Sequence, residues 1–167
     1  MKTIFSIFLS IGLLSNITAQ TSETFFKSGM VNYQSGNYQK AITEFTDAIA
    51  WNPADTNSFY YRAWAKQKLK DNNGAIADYT KAIALNPKFA EAFYFRGVVK
   101  AQLKDNLGAI ADYTSAIKMN ANYGEAYYNR GIAKFNAGLK DSGCNDMNMA
   151  VKFKVKEAKA TKKIFCN

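Results

Sequence analysis

The chain of 167 residues predicts an all-α fold, a stack of helix–turn–helix repeats closed by a C-terminal capping helix. Three observations carry this. Residues 56–89 and 90–123 align without a gap and share 18 of 34 positions, with fainter copies at 22–55 and from 124 onward. A fixed period of this length marks stacked repeats. Within each copy, apolar residues recur at helical spacing on both sides of a short polar turn. Punctuation is sparse, with two prolines and ten glycines, which suits helices joined by short turns better than many strands.

Residues 1–19 read as a secretory signal peptide. Lys2 is a short positive start, Ile4 to Leu14 is an apolar run broken only by Ser6, Ser10 and Gly12, and Ala19 offers a small residue at a cleavage point. A membrane-spanning helix needs about 20 apolar residues, roughly twice this run. An uncleaved anchor or an ordinary first helix is the alternative. Cleavage gives a mature chain that begins near Gln20, with no transmembrane segment left, exported to the periplasm or secreted. No cysteine stands directly after the cleavage point, which argues against a lipid anchor. Export places the two cysteines in an oxidising compartment. It also argues against nucleic acid as a partner, despite a formal charge of +9.

Residues 20–151 hold four repeats, at about 22–55, 56–89, 90–123 and 124–151. In the second, Phe59, Tyr60, Ala63, Trp64 and Gln67 fall on a helix, followed by the polar turn Lys70-Asp71-Asn72-Asn73-Gly74. Ala75, Ile76, Tyr79, Ala82, Ile83 and Leu85 form a second helix. Asn86-Pro87 stops it, because proline lacks an N–H and disfavours helix in the residue before it. One hairpin cannot bury both apolar faces, whereas stacked copies can. Small residues recur where helices approach closely, as at Gly29, Ala63, Gly97 and Gly131. Large ones fill the space between, as at Phe45, Tyr79, Tyr113 and Met147.

This pattern resembles the tetratricopeptide repeat (TPR) as found in exported bacterial-type proteins. Phe59, Ala63, Ala75, Tyr79, Ala82 and Pro87 match it in the second copy, and Phe25, Gly29, Ala41, Phe45, Ala48 and Pro53 in the first. The third copy lacks only the proline, replaced by Ala121, and the fourth has Gly143 and Met147 where the pattern has alanine and an aromatic. The resemblance implies a right-handed superhelical stack and a role in protein–protein contact. It also implies a concave groove lined by the first helices. Phe26, Tyr60, Tyr94 and Tyr128 form one row, Met30, Trp64, Val98 and Ile132 a second, and Tyr33 and Phe135 belong to a third. The alternative is that these aromatics pack against neighbouring helices, or that the N-terminus fills the groove. Phe26, Met30, Tyr60 and Trp64 do not fit the lysine and asparagine clamp that some members use for a terminal carboxylate.

Where the family commonly has leucine, the chain has Arg62, Arg96 and Arg130, followed at one constant interval by Asp78, Asp112 and Asp146. The first copy has Ser28 and Glu44 instead. The spacing predicts an ion pair between the two helices of each hairpin. Exposed arginines awaiting an acidic ligand are the competing reading. Residues 152–167 read as the capping helix, with lysines on the polar face; a functional basic patch is the alternative. Cys144 replaces Ile42, Ile76 and Ile110 of the other copies. If the cap folds back near Lys154, Cys144 and Cys166 reach the same height and a disulfide is expected, rather than a buried free thiol or an intermolecular bridge.

The chain has no histidine, which removes most serine, cysteine and metal mechanisms, and no phosphate-cradling glycine loop. The sequence therefore predicts no enzyme, no cofactor and no metal. It points to an extracytoplasmic scaffold or adaptor that binds a peptide or partner protein in an aromatic-lined groove. The alternative is a binder of anionic polymer or membrane surface through the lysine-rich cap. Oligomeric state is not predicted.

Overall fold

The computed structural model describes residues 20–166, which are helical throughout with no strand. The signal-peptide reading falls on residues 1–19 and lies outside the described residues. Helix α1 spans 20–34. It is followed by α2 (Tyr38–Trp51), α3 (Thr56–Lys68), α4 (Asn72–Leu85), α5 (Ala90–Gln102), α6 (Asn106–Met119), α7 (Gly124–Asn136), α8 (Lys140–Lys152) and α9 (Ala158–Phe165). The chain forms two compact units, with the boundary between Asp78 and Tyr79 inside α4. No helix among the described residues is long and apolar enough to cross a membrane.

The turns inside the hairpins share one geometry. Gly36, Lys70, Lys104 and Gly138, each one repeat length from the next, all take a left-handed backbone with φ between 63° and 79°. At each, two backbone hydrogen bonds close the preceding helix; in the second copy Lys70 N donates to Gln67 O and Asp71 N to Lys66 O. Glycine adopts this conformation freely, whereas lysine does so at a cost of about 1 kcal/mol. Asp71 and Asp105 then cap the next helix by accepting from the amides of Gly74 and Gly108. A Cβ at either glycine would fall on the capping carboxylate. At the far ends, α2 stops before Asn52-Pro53 and α4 before Asn86-Pro87, as proline requires.

In the first unit, the core gathers Ala41, Phe45 and Ala65, with Phe26, Met30, Tyr33, Tyr38, Ile42 and Tyr61 packed around them. The second unit has Ala109, Tyr113 and Ala133 at its centre, flanked by Tyr94, Val98, Ala101 and Ile110. Small residues permit these approaches. A Cβ at Gly29 would stand 2.6 Å from the Phe45 ring, and one at Gly97 2.8 Å from Tyr113.

The cap differs from the expected helix over 152–167. Helix α8 continues to Lys152, the chain reverses at Lys154 (φ 61°), and α9 is confined to Ala158–Phe165. Ala158 lies one repeat length after Gly124, so α9 starts where a further first helix would. Cys144 and Cys166 are joined by a disulfide, with Cα atoms 5.7 Å apart.

Candidate docking face

Arginine and aspartate meet in every hairpin that has both. Arg62 donates through Nε and Nη2 to the two carboxylate oxygens of Asp78, at 2.8 and 2.6 Å. Arg96 with Asp112, and Arg130 with Asp146, repeat the arrangement. Each aspartate is also held at 2.8 Å by the lysine one helical turn beyond the arginine: Lys66, Lys100 and Lys134. The remaining guanidinium nitrogen donates to a threonine of the preceding second helix, Thr46, Thr80 or Thr114. The guanidinium carbons sit 5.4–5.6 Å from the ring centres of Phe59, Phe93 and Tyr127. With 14–15 % of their side chains exposed and their donors engaged, these arginines are ties between helices. They are not available as a row for an acidic ligand.

The rows assigned to the groove divide by environment. In the first unit, Phe26, Met30 and Tyr33 on α1 and Trp64 on α3 are half-buried. Phe26 packs at 5.7 Å on Phe45 and 5.6 Å on Tyr61, and Tyr33 stacks on Trp64 at 5.8 Å. Tyr60 is a correction: only 6 % exposed, it contacts Tyr61 edge-on and lies under Trp64. Its ring belongs to the core because a helical side chain leans back over the preceding turn.

In the second unit, Tyr94 is half-buried against Tyr113 and Tyr123, and its hydroxyl accepts from Asn129 at 2.7 Å. Val98 packs on the same core cluster, and Ile132 is half-buried as well. The last positions are covered by the chain itself. The Tyr128 hydroxyl lies 3.2 Å from that of Thr161, and Phe135 stacks on Phe165 at 4.7 Å, the planes 11° apart. Phe135 also lies over Gly143, where a Cβ would stand 2.5 Å from its ring. Phe135 is therefore part of the contact with the cap rather than a free member of the first-helix groove row.

Burial raises the Tyr94 hydroxyl pKa, and the nearby Glu125 adds to it, against the opposing Asn129 hydrogen bond. Burial likewise pushes Tyr123 up, with Tyr94, Glu91 and Glu125 contributing. These hydroxyls stay protonated far above neutrality, so the face offers ring surfaces together with neutral hydroxyl groups. No group of histidine, cysteine, aspartate or glutamate among the described residues is arranged to hold a metal.

Sequence reasoning missed two sets of residues. Lys66, Lys100 and Lys134, like Thr46, Thr80 and Thr114, recur at the repeat period, and that recurrence was the available signal.

Comparison with known proteins gives a consistent result. A family model described as tetratricopeptide repeat matches residues 22–55 and 90–123, and a second, described as TPR repeat, matches 67–104. No curated protein matches the chain. Among solved structures, the crystal structure of MamA is 26 % identical, covers 83 % of this chain and 81 % of its own, and superposes with a TM-score of 0.78. YrrB, described as a TPR protein with an unusual peptide-binding site, is 18 % identical over 95 % of this chain and 88 % of its own, with a TM-score of 0.76. The first TPR of Spaghetti (RPAP3), bound to the HSP90 peptide SRMEEVD, is 24 % identical over 72 % and 95 %, at 0.70.

Proposed function

Because this chain belongs to the tetratricopeptide repeat family, we propose that it is an extracytoplasmic interaction module, a scaffold or adaptor that binds a peptide or partner protein through the aromatic face of its first helices. The observation that carries this is that each unit has half-buried apolar residues on its first helices: Phe26, Met30, Tyr33 and Trp64 in the first, and Tyr94, Val98 and Ile132 in the second. Side chains held by their neighbours offer contact area at little further entropy cost, and tryptophan and tyrosine, present here at Trp64, Tyr33 and Tyr94, are enriched at binding hot spots. Peptide binding by YrrB and by the RPAP3 domain agrees with this use of the fold. The location rests on the character of residues 1–19 and on the cysteine pair. The same reading assigns the protein no catalytic role.

The test is capture from an envelope extract at low and high salt, with wild-type protein beside a Trp64→Ala/Val98→Ala/Ile132→Ala variant. Buried aromatic contact persists as ionic strength rises, whereas surface charge contact fades. A partner kept at high salt and lost with the variant is the expected result. Retention at low salt only, indifferent to the variant, would replace this reading with anionic polymer or membrane binding by the lysines of the cap.

A further inference from the structure

A second surface is built at the C-terminal edge of the second unit. A cavity of about 300 Å³ opens there between the end of α7, the α7–α8 turn and α9, lined by Phe135, Asn136, Gly138, Lys140, Ile164 and Phe165. Its apolar walls are open to solvent: Ile164 is 73 % exposed and Phe165 43 %, with Leu139 exposed nearby at 47 %. Ile164 is the unusual residue. It lies one repeat length after Arg130, at the position that Arg62, Arg96 and Arg130 use to tie two helices together. An apolar side chain there makes no such tie, and no helix among the described residues packs over it.

The surroundings are cationic. Residues 152–166 contain six lysines and one glutamate, a net +5, and Lys140 adds a further charge at the cavity itself. We propose that this edge is a docking site for an acidic peptide segment that inserts one large apolar side chain into the cavity, against Ile164 and the edge of the stacked Phe135–Phe165 pair. The flanking carboxylates would meet the lysines of α9 and Lys140. Charge complementarity selects the acidic partner, and the walled cavity selects a peptide over a membrane. Adsorption to a bilayer requires a broad apolar face, and α9 exposes only two large apolar side chains.

One wall of the site depends on the disulfide. Ala158 is the only fully buried residue of α9, so the bond from Cys166 to Cys144 joins the Phe165–Phe135 stack and the Thr161–Tyr128 contact in holding Ile164 and Phe165 in place. Docking here is thereby tied to the oxidised state. The site is separate from the first-helix face proposed above and does not depend on it.

The test is selection of binders from a random-peptide display library with the purified, oxidised protein, counter-selected against an Ile164→Glu variant. That substitution is at an exposed position, and circular dichroism checks that helicity is unchanged. The expected outcome is enrichment of sequences with one large apolar residue flanked by aspartate or glutamate. Their affinity should drop at least tenfold with Ile164→Glu and again on reduction or in a Cys144→Ser/Cys166→Ser variant. Enriched peptides without acidic flanks, equal binding by the Ile164→Glu variant, or no enrichment that the counter-selection removes would each overturn the proposal. So would binding to phosphatidylglycerol vesicles in place of peptides, or dimerisation by sedimentation that Ile164→Glu abolishes.

Discussion

The two units share one period, but the first hairpin of the first unit and the hairpins of the second hold it with different chemistry. Arg62, Asp78 and Lys66 give the first unit one charge cluster as well. Around its first hairpin the first unit relies on aromatics: Phe26, Tyr33, Phe45, Tyr60, Tyr61 and Trp64 contact one another at centroid distances of 5.1–6.1 Å. That hairpin has Ser28 and Glu44 where the others have arginine and aspartate. The second unit has two complete Arg–Asp–Lys clusters and a disulfide that fixes its last helix. Geometry is thus conferred by close approach at small residues and by a common turn. The cross-helix tie can be supplied by rings, by charge or by a covalent bond. Rings leave part of their surface open to a partner, whereas a buried ion pair does not.

Breaking a tie should therefore have unequal effects. Asp112→Ala strands Arg96 and Lys100 in a mostly buried setting and should cost roughly 3 kcal/mol in urea unfolding. Glu44→Ala, at the matching position of the first copy, has no such pair to break and should stay within about 0.5 kcal/mol. Equal losses would remove the distinction between the hairpins. Next in size, the Cys144→Ser/Cys166→Ser variant should lose about 3 kcal/mol or less by the loop-entropy estimate for a sequence separation of 22. Amide exchange should quicken at α9 and α8 while α1 to α3 keep their protection.

Two smaller effects sharpen the comparison. Lys70→Gly in the first unit and Lys104→Gly in the second relieve the same left-handed strain, so each should stabilise by about 1 kcal/mol. Unequal gains would show that the shared turn is not equivalent in the two units. The buried hydroxyls of Tyr113 and Tyr123 give a pH signature to the second unit. Their folded pKa values lie above the ordinary value of 10.0, so the unfolded chain releases these protons first. Stability is full below about pH 10 and should fall above it. Tyr113→Phe should flatten that fall in melts taken across the alkaline range.

Much of the fold was legible because each repeat states its own boundaries. Asn-Pro pairs, the capping aspartates and the recurrent small residues mark helix ends and contacts in the sequence itself. The Arg–Asp tie was readable from a constant separation that recurs in three hairpins. The start of α9 was harder to see, since only its distance of one repeat length from Gly124 signals it and the aromatic positions are lost. Tyr60 and Phe135 show the limit for the candidate face. The family resemblance put them on groove rows, but the lean of one ring and the return of Phe165 over the other are tertiary facts. No local pattern encodes them.

The most direct test of the first-helix face places a photo-crosslinking phenylalanine analogue at Val98 or Ile132, and for contrast at the exposed second-helix positions Ala84 and Ala111. Irradiation in envelope extract should yield a discrete partner adduct from Val98 and Ile132 and none from Ala84 or Ala111. Adducts from the second-helix positions alone would place the working surface elsewhere and contradict the account.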